Sequence, residues 1–481
     1  MKNRKKAFIL AAFAAFLPYF LYGFQYFPVL DDYIQYWGYP ARQNLTYVYT
    51  EIGTLSTRPL ASLLDPAFWG QMWSFLWLAL FLILIMHLIS GCFFVKTLEN
   101  YHVSLSPLFL LIYWLFPLGM EGRFWLSAST RLITGLFFAS LSLWMLSLFL
   151  QKKQSVFLFV LFALFQLISC GFYESVSVFS VSAAVLLFLV SFYESRKAKL
   201  LFVPLVSCAN IGFMFYYYRL FAGLGHNESR AAGLELWRLS ENIAALFRQL
   251  GEILSQTFDA VIKGSVEGCK ILVSHGLWGI LLLCTALIIA FFLCRCESRQ
   301  IQKSKILRLS MICCGILLFF APLVPNLLVS EVWLTHRSLF VSFIGLALLV
   351  EPLFSLFKKT WRQALLFAVA FLFITAGVNE YDVYRRVHEQ DRHLLKQVVS
   401  QMNEEAKSGG CDVVVLLPKS VETAQNTMYK DHVKSVFDSD WALTGAVRAE
   451  MESLLPRRIV PVLPGETYET QGVCVVELHL K

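Results

Sequence analysis

The chain has 481 residues, 57% of them hydrophobic and only 15% charged, with 43 Phe and 12 Trp and a mean hydropathy of +0.60. A soluble domain carries about 25% charged residues, so a compact water-soluble fold, a disordered chain, a collagen-like repeat and a disulfide scaffold are all excluded. The net charge of +8 is unevenly spread: residues 381–481 hold 12 basic and 15 acidic side chains, residues 1–380 hold 29 and 18. This is the composition of a polytopic membrane protein.

A helix crossing a hydrocarbon core of about 30 Å needs roughly 20 apolar residues. Runs near 7–27, 71–95, 105–120, 132–150, 155–170, 176–193, 200–222, 271–294, 307–327, 337–356 and 363–379 predict about 11 transmembrane helices. The first follows Lys2, Arg4, Lys5 and Lys6. It is too long, and lacks the small-residue cleavage site, to be a removed signal peptide. Every second loop is basic: Lys96; Lys152 and Lys153; Arg196, Lys197 and Lys199; Arg295, Arg299, Lys303, Lys305 and Arg308; Lys358, Lys359 and Arg362. The positive-inside rule then predicts a cytoplasmic N-terminus and an extracytoplasmic C-terminus, in a cell (plasma or inner) membrane. The basic excess belongs to these loops, so nucleic acid is not expected as a partner.

The outer face receives loop 28–70, the turns 121–131 and 171–175, loop 223–270, loop 328–336 and the tail after Asn379. Leu234–Leu250 carries apolar residues at helical spacing and predicts an amphipathic helix at the outer interface. The sequons at Asn44 and Asn227 fall outside by the same topology. A charged helical stretch (380–407) and a Gly409-Gly410 break lead to strand-like runs at Asp412–Leu417, Arg458–Leu463 and Val473–Leu480. The organisation is therefore a transmembrane domain, 1–379, followed by a small extracytoplasmic α/β domain, 380–481. Cys411 and Cys474 sit on two of the strands, where a disulfide is one option that sequence does not decide. Most other cysteines, such as Cys92, Cys208 and Cys284, lie inside apolar runs and read as small core residues.

Ionisable groups near membrane spans are expensive, so a cluster on one face is a functional hypothesis. Asp31-Asp32 follows the first span, and Arg58-Pro59 opens the approach to the second. The next outer turn holds Arg123 and Arg131; Glu174 lies in Gly171-Phe-Tyr-Glu; Arg219 closes the seventh span; His336-Arg337 precedes the tenth. Arginines match phosphate through a planar fork of donors. A carboxylate can take the proton of an attacking hydroxyl. Together these groups suit a lipid-linked phosphosugar and a hydroxyl acceptor, with a growing phosphate charge to be stabilised. Tyr and Trp at the helix ends read first as an interfacial belt.

The Asp-Asp-aromatic motif after span one and Arg58-Pro-Leu before span two resemble the GT-C class of integral-membrane glycosyltransferases. Phe124-Trp-Leu-Ser-Ala-Ser, Gly171-Phe-Tyr-Glu-Ser, His336-Arg-Ser and Cys411-Asp-Val-Val-Val-Leu-Leu-Pro resemble blocks of the bacterial serotype-converting (O-antigen) glucosyltransferase family. The resemblance implies a GT-C-like transmembrane catalytic domain, a polyprenyl-phosphate sugar donor, and a surface polysaccharide or other cell-envelope glycan as acceptor. It implies a base in the first outer loop, here Asp31 or Asp32, with Arg58, Arg123, Arg131, Glu174, Arg219, His336 and Arg337 toward donor phosphate and substrate. Many members of the class use a divalent cation (Mg or Mn), for which Asp32 and Glu174 are the candidates, and others use basic side chains instead. The alternative is a lipid or sugar transporter or flippase. That reading expects internal repeats and mid-membrane charges, which this sequence does not display.

Overall fold

The computed structural model describes residues 2–42, 58–151, 155–195, 198–221, 236–296, 305–329, 332–417, 434–463, 465–468 and 472–478. The apolar runs fold largely as helix, the first ending at Phe20, short of its expected bound at 27. The first seven are α1 (Lys2–Phe20), α2 (Leu76–Asn100), α3 (Pro107–Leu115), α4 (Leu126–Gln151), α5 (Val156–Cys170), α6 (Glu174–Ser195) and α7 (Phe202–Phe221). Then follow α8 (Leu239–Ser255), α9 (Gly264–Ser274), α10 (Gly276–Arg295), α11 (Lys305–Phe320), α12 (Ser342–Phe354) and α13 (Lys359–Gln401). Six helical stretches are long and apolar enough to cross a membrane: Pro59–Asn100, Leu126–Gln151, Glu174–Tyr193, Gly276–Arg295, Lys305–Leu327 and Lys359–Gln401. Large apolar side chains such as Leu205, Leu277, Ile306 and Leu309 stay exposed on the bundle perimeter, as they do where the solvent is lipid. Small residues let the helices approach. A Cβ on Gly315 would fall 2.7 Å from the Leu349 nitrogen, and one on Gly345 2.2 Å from the Phe319 nitrogen, so α11 and α12 meet backbone to backbone.

The run 105–120 differs from its expected single spanning helix. Ser106 caps α3, its hydroxyl accepting from the Leu108 amide ahead of Pro107, but the helix stops after 9 residues at Phe116. That is about 13.5 Å at 1.5 Å per residue, less than half a membrane. Pro117 has no N–H to continue the ladder; a tight turn at Pro117–Gly119 and a helical turn at Glu121–Phe124 carry the chain onward. The segment nevertheless runs from one end of the bundle to the other. At its start, Ser106 bonds Glu351 at the end of α12, beside Asn100–Ser147 and Tyr101–Ser191 contacts at the ends of α4 and α6. At its finish, Glu121 meets Arg337 and Ser127 meets Asp32.

The amphipathic helix expected at Leu234–Leu250 forms later, as α8. It buries Leu246, Leu250 and Ile253, and Asn242 and Gln249 donate to the Leu327, Val329 and Val332 carbonyls. The two sequons lie outside the described residues.

No break separates the bundle from the C-terminal region, because α13 runs through residue 380 without interruption. Its far end contributes Leu394, Leu395 and Val398 to a second core. A short helix, α14 (Glu404–Ser408), ends at Gly409, which holds φ at 78°. A three-stranded parallel sheet follows, ordered β2-β1-β3, from β1 (Asp412–Leu416), β2 (Ile459–Val462) and β3 (Val473–Glu477). Helix α15 (Asp440–Glu450) packs on it and buries Ala442, Leu443, Ala446 and Val447. Cys411 and Cys474 form a disulfide between the leading edges of β1 and β3.

Candidate active site at one end of the bundle

The loop after α1 turns sharply at Leu30, whose φ of 45° places a branched residue in the left-handed region; such backbone costs about 1–2 kcal/mol and persists only where its surroundings impose it. The turn sends the two adjacent aspartates to different environments. Asp32 is fully buried. Its Oδ2 accepts from the Tyr26 hydroxyl at 2.6 Å and the Val29 amide at 3.0 Å. Its Oδ1 accepts from the Ser127 amide at 3.1 Å and the Ser127 hydroxyl at 2.6 Å. The carboxylate thus caps the N-terminus of α4 from another part of the chain, where free amides and the helix dipole favour a negative charge. Burial pushes its pKa up to about 7, and the four donors oppose that rise.

Asp31 remains half-buried. Burial raises its pKa, while the charges of Arg337, Arg131 and Arg58 pull it down. Its own turn carbonyl accepts from the Ile34 and Gln35 amides, starting the wide helical turn Tyr33–Gly38. Tyr36 on that turn is buried and bonds Thr130 of α4 at 2.9 Å.

Three arginines converge here from distant segments, each held by an acid. Arg58 Nε donates to both oxygens of Glu174, at 3.1 and 3.2 Å, and its guanidinium lies 4.0 Å from the Tyr173 ring centroid. Gly171 makes this possible. A Cβ there would strike Leu60 Cγ at 2.7 Å, and the Leu60 amide bonds the Gly171 carbonyl, so the Arg58 and Glu174 turns dock together. Arg131 pairs with Asp65 at 2.7 Å, an acid only 1% exposed. Arg337 lies 3.6 Å from Glu121, donates its amide to the same carboxylate at 3.0 Å and sits over the Trp125 ring at 4.7 Å. Gly122 admits that contact, since a Cβ there would fall 2.8 Å from the Phe340 ring. Arg58 and Arg131 also feel each other's charge.

Some expected participants stand elsewhere. Arg123 is a correction: it is buried, and its guanidinium is spent on Tyr19, the Trp114 carbonyl at 2.7 Å and the Ala15 carbonyl at 2.9 Å. It staples α1 to α3, and each of its three guanidinium nitrogens already donates a hydrogen bond inside the bundle. His336 is buried in the helical turn His336–Leu339, ahead of Arg337. The Arg219 side chain lies outside the described residues. As to metal, Glu174 is engaged by Arg58 and Asp32 by its four donors, and no group of three His, Cys, Asp or Glu suited to a metal ion occurs among the described residues. The donor set does not fit a resident cation.

Asp65 escaped the sequence reading, although a lone acid in Leu64-Asp-Pro-Ala beside an apolar run is the expensive group that should have drawn notice, and Glu121, which opens the second polar turn, was given no role. The partners of Asp32, Tyr26 and Ser127, carried no such signal. No family model matches the chain, and neither does any curated protein.

Proposed function

We propose that the protein is a membrane glycosyltransferase. It moves a sugar from a polyprenyl-phosphate-linked donor to a cell-envelope glycan on the outer face, with eleven crossings, a cytoplasmic N-terminus and an extracytoplasmic 380–481 region. The observation that carries the reading is Asp31, half-buried at one end of an apolar bundle within the field of Arg58, Arg131 and Arg337.

In this scheme Asp31, rather than Asp32, is the general base, since every lone-pair direction of Asp32 is already taken. Asp31 accepts the proton of the acceptor hydroxyl as its oxygen bonds to the anomeric carbon. The bond from that carbon to the phosphate oxygen breaks, and the electron pair leaves with the polyprenyl phosphate. The three arginines stabilise the charge that appears there. Their acidic partners keep the guanidiniums aimed before substrate arrives, and supply a second set of contacts for them to exchange. Asp32 acts as a positioning residue that locks the turn against α4.

The test is release of polyprenyl phosphate by protein in liposomes offered a panel of polyprenyl-phosphate sugars with a glycan acceptor. Wild type should release it and Asp31→Asn should not. Equal release by both, or none from any donor with wild type, would sink the proposal.

A further inference from the structure

Three residues along the chain from Asp31 begins an open cleft with about 350 Å³ of free volume, formed between residues 34–42 and helix α15 with its following loop. It exists because Gly445 of α15 sits against Ile34: a Cβ there would fall 2.6 Å from Ile34 Cγ1. The walls combine aromatic faces with guanidiniums. Trp37 and Tyr39 come from the first loop and Trp441 from α15, and Trp441 is 46% exposed although it stands beside a hydrophobic core. Of the charged lining residues four are arginines and one is an aspartate. Asp440 is taken by Arg458, at 2.8 and 2.6 Å. Arg448 is aimed by the Pro456 and Arg457 carbonyls. Arg457 is exposed, and its side chain makes no hydrogen bond or ion pair among the described residues.

We infer that this cleft binds an anionic glycan, presenting the acceptor to Asp31. The exposed Trp441 indole and the partly exposed Trp37 indole offer flat apolar surface to sugar rings, and fixed guanidiniums match carboxylate or phosphate substituents. The placement supplies direction. From Asp31 to Trp37 the chain advances under about 10 Å along one helical turn and a half, so a sugar chain lying on Trp37 and Trp441 extends its next units toward the base. The C-terminal region is thereby a wall of the acceptor site. This inference rests on the transferase reading for the acceptor role, and the binding itself does not depend on it.

The experiment uses full-length protein in lipid nanodiscs, titrated with hexagalacturonate as anionic probe and maltohexaose as neutral probe. Wild type should bind the anionic hexamer at least tenfold more tightly, with affinity falling as salt is raised. Trp441→Ala/Arg457→Ala should lose at least tenfold. The single exposed substitution Arg457→Glu, which disturbs no packing, should do the same if the double variant misfolds. Asp31→Asn should bind like wild type. Equal affinity for the two probes, absence of binding by wild type, or undiminished binding by the variants overturns the cleft assignment. Absence of sugar transfer by wild type with the binding pattern intact would instead remove the transferase reading and leave the cleft standing.

Discussion

The two ends of the helical bundle solve the same problem with different chemistry. At the end away from Asp31, the ties between helices include neutral pairs: Asn100 to Ser147 at 2.8 Å, Tyr101 to Ser191 at 2.9 Å and Gln151 to Ser191 at 3.4 Å. The buried acid there, Glu351, accepts from the amide and hydroxyl of Ser106 and fixes the start of α3. At the Asp31 end three arginines gather with their acids, of which Asp65 and Glu121 are almost fully buried and Glu174 is about a third exposed. Hydroxyls and amides suffice to hold helix ends together, and burying an ion costs several kcal/mol. The charged end therefore carries more than packing requires, and that surplus is why the proposed site is placed there.

The largest effect that would sharpen this contrast is catalytic. Asp31→Asn should lower sugar transfer by about 10²–10⁴-fold, the usual contribution of a general base, with the thermal midpoint held. Glu351→Gln at the opposite end should show the reverse: a lower midpoint and an unchanged rate per folded molecule. Next comes Asp65→Ala, which leaves Arg131 buried without its partner and should cost about 3–5 kcal/mol of stability, read from thermal or denaturant unfolding. A cost under about 1 kcal/mol, the range of an exposed pair, would mean that the end is wetter than its burial indicates. Arg58→Ala should raise the apparent donor KM about tenfold, as expected for one lost charge-assisted contact, and affect the acceptor KM less; equal effects on both would break the assignment of this arginine to the donor.

The smallest effect is a pH slope. Burial places the Asp32 pKa near 7 in the folded protein, above the ordinary aspartate value of about 3.9. The folded state thus holds a proton that the unfolded chain releases, so the group favours folding below pH 4 and that contribution is lost as pH rises toward 7. The thermal midpoint of wild type should fall between pH 5 and 7 by more than that of Asp32→Asn. Identical slopes would show that the four donors hold Asp32 ionised throughout.

Apolar runs located helices because lipid demands length and composition of a span, and six of those helices are long and apolar enough to cross a membrane. The exception, 105–120, follows from Pro117, a single residue that interrupts the hydrogen-bond ladder inside an otherwise uniform run. Gly409-Gly410 and the Val-rich segments marked the C-terminal sheet, while the Cys411–Cys474 pairing depended on strand order, which no local pattern encodes. At the site, Asp31, Arg58, Arg131, Glu174 and Arg337 were legible as polar residues out of place. The difference between Asp31 and Asp32 was not, since neighbours in sequence part only when a left-handed turn at Leu30 separates them. Arg123 misled for a similar reason: an arginine on an outer turn looks available until its partners prove to be carbonyls of α1 and α3.

The most direct test of the central claim compares envelope glycans from cells lacking this protein with cells carrying wild type or Asp31→Asn at equal abundance, read as glycosyl composition by mass spectrometry. The account predicts that one sugar is missing without the protein and that wild type alone restores it, which also names the sugar. Restoration by Asp31→Asn would contradict it, and the acid beside three arginines would then have to be explained without sugar transfer.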